Sequence, residues 1–176
     1  PTNRPLNRFY LPDRVYPKSG QRWEAVVRRI SEMHSKGRPV LIGTRSVAAS
    51  ENLSHLLTDA GLPHKVLNAR QDREEAEIIA RAGEPARITV ATNMAGRGTD
   101  IRLAPGIAEK GGLHVIATER HEAGRIDRQL FGRCGRQGDP GTNEAIISLE
   151  DELVTVYVTK LFQWLAKATL RKPGTL

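Results

Sequence analysis

Cysteine is nearly missing from this sequence: Cys134 is the single one among 176 residues. That excludes an internal disulfide and a cysteine-built zinc cage, and makes a reducing compartment the expected setting. No apolar run approaches the roughly 20 residues that a membrane-crossing helix needs. The basic, proline-rich start Pro1–Arg8 is not followed by the hydrophobic stretch of a signal peptide. An initiator Met is also absent, so the chain is expected to be processed or cut from something longer. Aromatic residues are scarce at 5%, and between Trp23 and Tyr157 Phe131 stands alone. A surface that stacks single-stranded bases needs several aromatics interleaved with cations, so base readout is not expected despite a net charge of +7. Most of that excess lies in residues 1–60, whereas 61–90 and 142–176 are balanced. From Arg120 to Arg136 every basic residue is Arg, the type suited to fixed, forked contacts with phosphate or carboxylate.

What is present has the proportions of one globular domain, with 39% hydrophobic and 27% charged residues. Residues 1–20, with Pro1, Pro5, Pro12 and Pro17, read as an extended arm, and 21–176 as the domain proper. Trp23, Val26, Val27, Ile30 and Met33 recur at helical spacing and predict a helix over about 19–36, ended by Gly37. Pro39–Gly43 is a short apolar run, as expected for a strand buried on both faces. Helices are expected over 47–60, from a cap at Asp72 to about 82, over 122–134 and over 150–169. Strands are expected over 64–67, 86–92, 113–118 and 144–149. This alternation with short links predicts an α/β fold, a parallel sheet with helices on both faces.

Binding chemistry in such sheets gathers where strands end, which singles out Val40–Ser46, Thr92–Ile101 and Arg120–Gly141. In the second segment Gly96 and Gly98 flank Arg97, with Thr99 and Asp100 following. Glycines admit a ligand close to the backbone, Arg97 suits a phosphate, and Asp100 suits a ribose hydroxyl. The same composition also fits a tight turn bearing a surface Arg–Asp pair. In the third segment Arg133 and Arg136 are three apart, with Gly132 and Gly135 clearing bulk around them. Two permanent cations aimed one way suit a triphosphate; a solvated basic helix face is the alternative, and it leaves the glycines unexplained. No Gly-x-x-x-x-Gly-Lys-Ser/Thr loop occurs, so the chain has no phosphate cradle of its own. Ala145–Glu152 imitates a strand ending in metal-binding acids, but without that loop Glu150–Glu152 read as a negative first turn of the last helix. His114 and His121 lack the spacing of a metal pair and read as structural.

Ala91-Thr-Asn-Met-Ala-Gly-Arg-Gly-Thr-Asp-Ile101, Thr118-Glu-Arg-His-Glu122, Arg125–Leu130 and Gly132–Pro140, with Pro1-Thr-Asn-Arg-Pro5 and Gly37–Thr44, resemble one family. It is the SecA preprotein translocase ATPase family, and the resemblance is to its second nucleotide-binding domain, the C-terminal RecA-like half of a helicase-type P-loop motor. A generic DEAD-box helicase shares only the Gly-Arg-x-Gly-Arg skeleton.

The resemblance implies ATP or ADP with Mg2+ as cofactors, the metal held mainly by an N-terminal domain outside this chain. It implies that Gly96, Arg97, Gly98, Thr99 and Asp100 contact nucleotide. It further implies that Arg133 and Arg136 act as catalytic arginine fingers, that Arg125, Gln129 and Gln137 couple the two motor halves, and that the isolated chain does not turn over ATP. Thr44 matches the fourth helicase motif. The implied partners are the N-terminal nucleotide-binding domain and, in the full protein, preprotein and a membrane channel. The implied location is cytoplasmic, with the full protein at the inner face of the membrane, and nucleic acid is not an expected partner. The chain departs from the family at Phe131 and Gly124, which stand where arginine is usual, and at Ala104 and Ala117, which replace glycines. The alternative functions are the C-terminal domain of a nucleic-acid helicase, or a non-catalytic interaction module on the same fold.

Overall fold

A computed structural model describes residues 5, 7–67, 72–92, 99–157, 162 and 174–175. Its elements are β1 (Asn7–Tyr10), β2 (Arg14–Tyr16), α1 (Ser19–Ser35), β3 (Val40–Thr44), α2 (Val47–Asp59), β4 (Lys65–Leu67) and α3 (Asp72–Ala80). After a 3-10 turn at Arg81–Gly83 come β5 (Ile88–Thr92), β6 (Leu113–Ala117), α4 (Gly124–Phe131), β7 (Pro140–Ser148), α5 (Glu152–Tyr157) and β8 (Gly174–Thr175). Among the described residues the strands form one sheet in the order β4-β5-β3-β6-β7-β2-β8, with β1 also beside β7. All pairings are parallel except β2 with β8.

The continuous apolar runs of the central strands follow from burial on both faces. Along β3, Val40 and Ile42 join one core with Val26, Ile30 and Met33 of α1 and Leu53 and Leu57 of α2. Leu41 turns the other way, into a second core with Ile79 of α3, Phe131 of α4 and Cys134. Each large side chain buried this way contributes about 1.5–3 kcal/mol. Gly43 has no Cβ because the Leu130 side chain of α4 occupies that place, so β3 and α4 approach closely there.

Residues 1–20 include two strands that follow each other along the free edge of β7: Tyr10 pairs with Asn143, and Arg14 with Ile146. Between them the backbone N–H of Ala145 would lack a strand partner, and the carboxylate of Asp13 accepts it at 3.3 Å. The expected stops at Gly37 and Gly61 are present, both with φ +68°, the left-handed geometry that closes a helix. Ser46 caps α2 by accepting from Ala49 N–H at 3.1 Å.

Three expectations need correction. The helix from Asp72 tightens into the 3-10 turn after Ala80, because Gly83 lies hard against the Arg102 carbonyl and its own carbonyl accepts Ala104 N–H. The strand expected from Glu144 begins at Pro140, because both β6 and β1 pair with residues 140–143. The acidic run Glu150–Glu152 is not simply a first turn. Glu150 accepts Ser19 N–H at 2.9 Å and caps α1 from 131 residues away, and Asp151 accepts Ser148 N–H and pairs with Arg22 at 2.6 Å, so α5 starts only at Glu152. The remainder of the expected last helix, apart from residue 162, lies outside the described residues.

Buried charge knits β6 and β7 to α1. Glu144 accepts from Arg29 Nε at 2.5 Å and meets His114 Nε2 at 3.0 Å and Arg14 Nε at 3.2 Å. Burial pushes the Glu144 carboxyl up, but His114 and Arg29 outweigh it and hold the group below its usual range. Burial lowers His114 despite Glu144, which disfavours its charged form in the fold. For both groups the unfolded chain takes up protons first as pH falls, so stability is full above about 6.5, the ordinary histidine value, and declines below it. Asp151 has the opposite sign. Burial raises it to about 6, against the pull of the Ser148 N–H and Arg22, so its ionisation weakens the fold as pH rises from about 4 to 6. Thermal melting from pH 7.5 to 4.5 separates the two. Asp151→Asn is expected to steepen the loss of stability on acidification and His114→Asn to flatten it; the reverse pattern would contradict these assignments.

Candidate functional site

Two segments distant in sequence meet on the sheet face covered by α3 and α4. Thr99 and Asp100 belong to the long connection from β5 to β6, and Arg133, Arg136 and Gln137 to the turn between α4 and β7. Arg133 donates to the Thr99 carbonyl at 3.2 Å. Arg136 donates to Asp100 Oδ1 at 3.1 Å and, through Nε, to the Gly132 carbonyl at 2.7 Å. Gln137 donates to Asp100 Oδ2 at 3.1 Å. One carboxylate thus faces two donors from the opposite segment. Gly135 and Gly138 have φ +66° and +85°, and Gln137 itself adopts φ +55°, which turns the chain sharply enough to present three side chains from so short a stretch.

The electrostatics favour an anion here. Arg133 is held by a neutral carbonyl, and burial, then the nearby Arg136 charge, works against its cationic form more than Asp100 supports it. A half-buried cation in that state gains from an incoming phosphate oxygen. The Arg136–Asp100 pair is more open, with about two-fifths of each side chain exposed, so its partners exchange readily.

The location refines the expectation that chemistry gathers at strand ends. Residues 118–123 do follow the end of β6, but the eight residues of α4 carry the chain back by about 12 Å. Arg133 and Arg136 therefore sit near Leu113 and Pro140, the first residues of β6 and β7, beside Ile101 and Leu103. Gly96, Arg97 and Gly98 lie outside the described residues. Arg125 and Gln129, one turn apart on α4, are exposed and make no side-chain hydrogen bond among the described residues. Gln137, also expected in coupling, donates to Asp100. Thr44 is fully buried, and its hydroxyl faces the carbonyls of Ser46 and Ala91.

Phe131 is buried at the inner face of α4, with the Arg120 guanidinium 5.4 Å from its ring and Tyr10 edge-on at 6.3 Å. Arg120 also pairs with Asp13 and, at 3.4 Å, with Asp127, which holds His121 Nδ1 at 2.6 Å. His114 and His121 are both structural in this sense. Asp13 and Asp127 escaped the sequence reading, as did the buried cluster of Arg22, Glu119 and Asp151. No spacing rule signals such partners, since Arg120 and Asp13 are 107 residues apart. Among the described residues no group of three or more His, Cys, Asp or Glu is placed to hold a metal ion. Nor, among them, is any helix long and apolar enough to cross a membrane.

Known proteins resemble this chain closely. The family model described as the SecA P-loop domain matches residues 5–108 and 104–172. The protein translocase subunit SecA 2 of Nitrosospira multiformis is 57% identical over 157 residues, which is 89% of this chain and 24% of that protein. Its counterpart in Bordetella avium is 61% identical over 88% of this chain and 23% of its own length. The protein translocase subunit SecA of Desulfotalea psychrophila is 55% identical over 89% of this chain and 18% of its own length. The chain therefore spans a quarter or less of these relatives. Among solved structures, the E. coli DEAD-box protein SrmB bound to the regulator RraA has a TM-score of 0.64 at 20% identity, covering 89% of this chain and 88% of its own. Domain 2 of the DEAD-box helicase Mss116p, bound to an RNA duplex, has a TM-score of 0.61 at 18% identity, covering 84% of this chain and 56% of its own. At such identity these two establish the fold alone, a RecA-like, helicase-type parallel sheet.

Proposed function

We propose, from the premise that this chain belongs to the SecA P-loop domain family, that it is the C-terminal motor half of a protein-translocation ATPase. It supplies one wall of an ATP site that an N-terminal nucleotide-binding domain completes. The observation that carries this reading is the meeting of Thr99 and Asp100 with Arg133, Arg136 and Gln137.

Nucleotide fits the residues present. Arg133 is a partly desolvated cation that makes no ion pair among the described residues, and Asp100 is an acceptor of the kind that takes a ribose hydroxyl. Bound ATP with Mg2+ supplies the scissile phosphoanhydride and a metal that neutralises its charge. Asp100 releases Arg136 as it turns to the sugar, and Arg133 and Arg136 then face the phosphate chain as fingers that stabilise charge in the transition state. The metal ligands and the phosphate-cradling loop belong to the partner domain in this reading. Gly96, Arg97 and Gly98 extend the nucleotide contacts, and Arg125 and Gln129, exposed on α4, face the partner half. In the full protein the partners are preprotein and a membrane channel, at the cytoplasmic side of the membrane.

The nucleic-acid helicase alternative is not favoured, because the relatives at 53–61% identity are translocase subunits whereas the DEAD-box likeness rests on fold alone. The isolated chain is expected to show no ATP turnover above a buffer blank. Adding the N-terminal half is expected to restore Mg2+-dependent hydrolysis, with nucleotide-dependent association of the halves. Robust hydrolysis by the clean isolated chain would overturn the divided site. Association indifferent to nucleotide would favour a non-catalytic module.

A further inference from the structure

A cavity of mixed lining lies away from this site, where the end of α1 meets the turn before β5. It measures about 320 Å³ and is lined by His34, His64, Lys65, Glu84, Ala86 and Arg87, among others. It brings together two cations, Lys65 and Arg87, and one carboxylate, Glu84. Lys65 is exposed and has no ion-pair partner among the described residues. Among the described residues Arg87 pairs only with Glu84, at 3.6 Å, and that carboxylate is already held by Arg81 at 2.7 Å. The Arg87 Nε atom is buried, with no hydrogen-bond partner among the described residues, so a ligand can meet this side chain, 24% exposed, only through its other atoms.

The histidines differ in what they have left to give. His64 uses both ring nitrogens, Nδ1 on the Leu62 carbonyl and Nε2 on the Ser54 hydroxyl. His34 Nδ1 faces the Ala86 carbonyl at 2.8 Å and must donate to it, which leaves Nε2 with no hydrogen-bond partner among the described residues. The backbone that carries Arg87 is strained, since Ala86 adopts φ +54°, a region costly for a residue with a Cβ. Three hydrogen bonds hold it there: Ala86 N–H to the Gly37 carbonyl, its own carbonyl to His34, and Val40 N–H to the Arg87 carbonyl. The cradle is thus rigid before any ligand arrives.

We propose that this cavity binds inorganic phosphate. Near neutrality phosphate carries both anionic oxygens, for Lys65 and Arg87, and a P–OH group that donates to His34 Nε2. Sulfate has the same shape and charge but no hydroxyl at that pH, so it satisfies the cations and leaves the imidazole unanswered. The inference is independent of the nucleotide site, where Arg133 and Arg136 are also cations.

The test is an NMR titration of the 176-residue chain with inorganic phosphate at constant ionic strength, following the His34 and His64 ring resonances. A saturable shift of these resonances is expected, at least tenfold weaker with sulfate. It should persist in the Arg133→Ala/Arg136→Ala double variant and weaken at least tenfold in Lys65→Gln, whose exposed position leaves the fold and its melting temperature intact. Arg87→Gln should weaken it as well. A non-saturating response, equal affinity for sulfate, indifference to Lys65→Gln, or loss in the double arginine variant would each overturn the assignment.

Discussion

Replacing Arg133 by alanine in the motor assembled with its N-terminal half is expected to lower the rate constant of ATP hydrolysis by roughly 10³–10⁵-fold, the range that an arginine finger contributes in nucleotide hydrolases. Arg133 is the stronger candidate of the pair because its charge is partly desolvated and rests on a carbonyl, so a phosphate in transit meets it with little competition. Arg136 must first leave Asp100, and its loss is expected to cost less in rate while also disturbing nucleotide affinity through the freed carboxylate. A fall in kcat at nearly unchanged KM is the signature of an interaction made only in the transition state. Arg133→Lys should not restore the rate, because a point charge cannot reproduce the planar fork. Hydrolysis within tenfold of wild type in the Arg133→Ala protein would sink the finger assignment.

The second large effect concerns stability. Glu144→Ala is expected to destabilise the fold by about 3–5 kcal/mol, the cost of stripping one partner from a buried ion pair. Glu144 is 1% exposed and sits between β6 and α1, so its removal strands Arg29, whose side chain is only 12% exposed, and frees His114 Nε2. Arg29 keeps a second partner in Glu32, held at about 2 by Lys36 and Arg29 itself, but that carboxylate is far more open to solvent. Glu144→Gln retains the shape and one acceptor and should lose less. The midpoint of urea unfolding reads the difference, and a loss under about 1 kcal/mol for Glu144→Ala would mean that the network contributes little.

Much of the scaffold was legible because it depends on near neighbours. The three-to-four spacing of Val26, Ile30 and Met33 marks α1, the uniform apolarity of Val40–Ile42 marks a strand covered on both sides, and Gly37 and Gly61 mark the helix ends. Arg133 and Arg136 stood out for a similar reason, as two arginines three apart beside two glycines, although the glycines also answer to the backbone: Gly135 has φ +66° and lies against Arg8, and Gly132 lies against the Arg128 carbonyl. The β7 boundary was not legible, because the pairing that extends it comes from β1 and β6. The acidic run at 150–152 misled for the same reason. Its composition suits a helix start, yet Glu150 and Asp151 answer demands made by Ser19 and Arg22 across the sheet. Phe131, which stands where the family usually has arginine, is buried in the core with Arg120 over its ring, a placement that no near neighbour in the sequence announces.

The sequence by itself determined which stretches become strands and helices and that the sheet is covered on both faces. These follow from residue preferences and spacings over a few positions. Only the tertiary structure decided who meets whom: Asp100 with Arg136, 36 residues on; Asp13 with Ala145, across 132; and Glu150 with the first residue of α1. Those partnerships depend on the crossed strand order β4-β5-β3-β6-β7, which brings remote segments to one face. Hydrogen bonds and ion pairs act over a few ångströms, so they register that order and not distance along the chain.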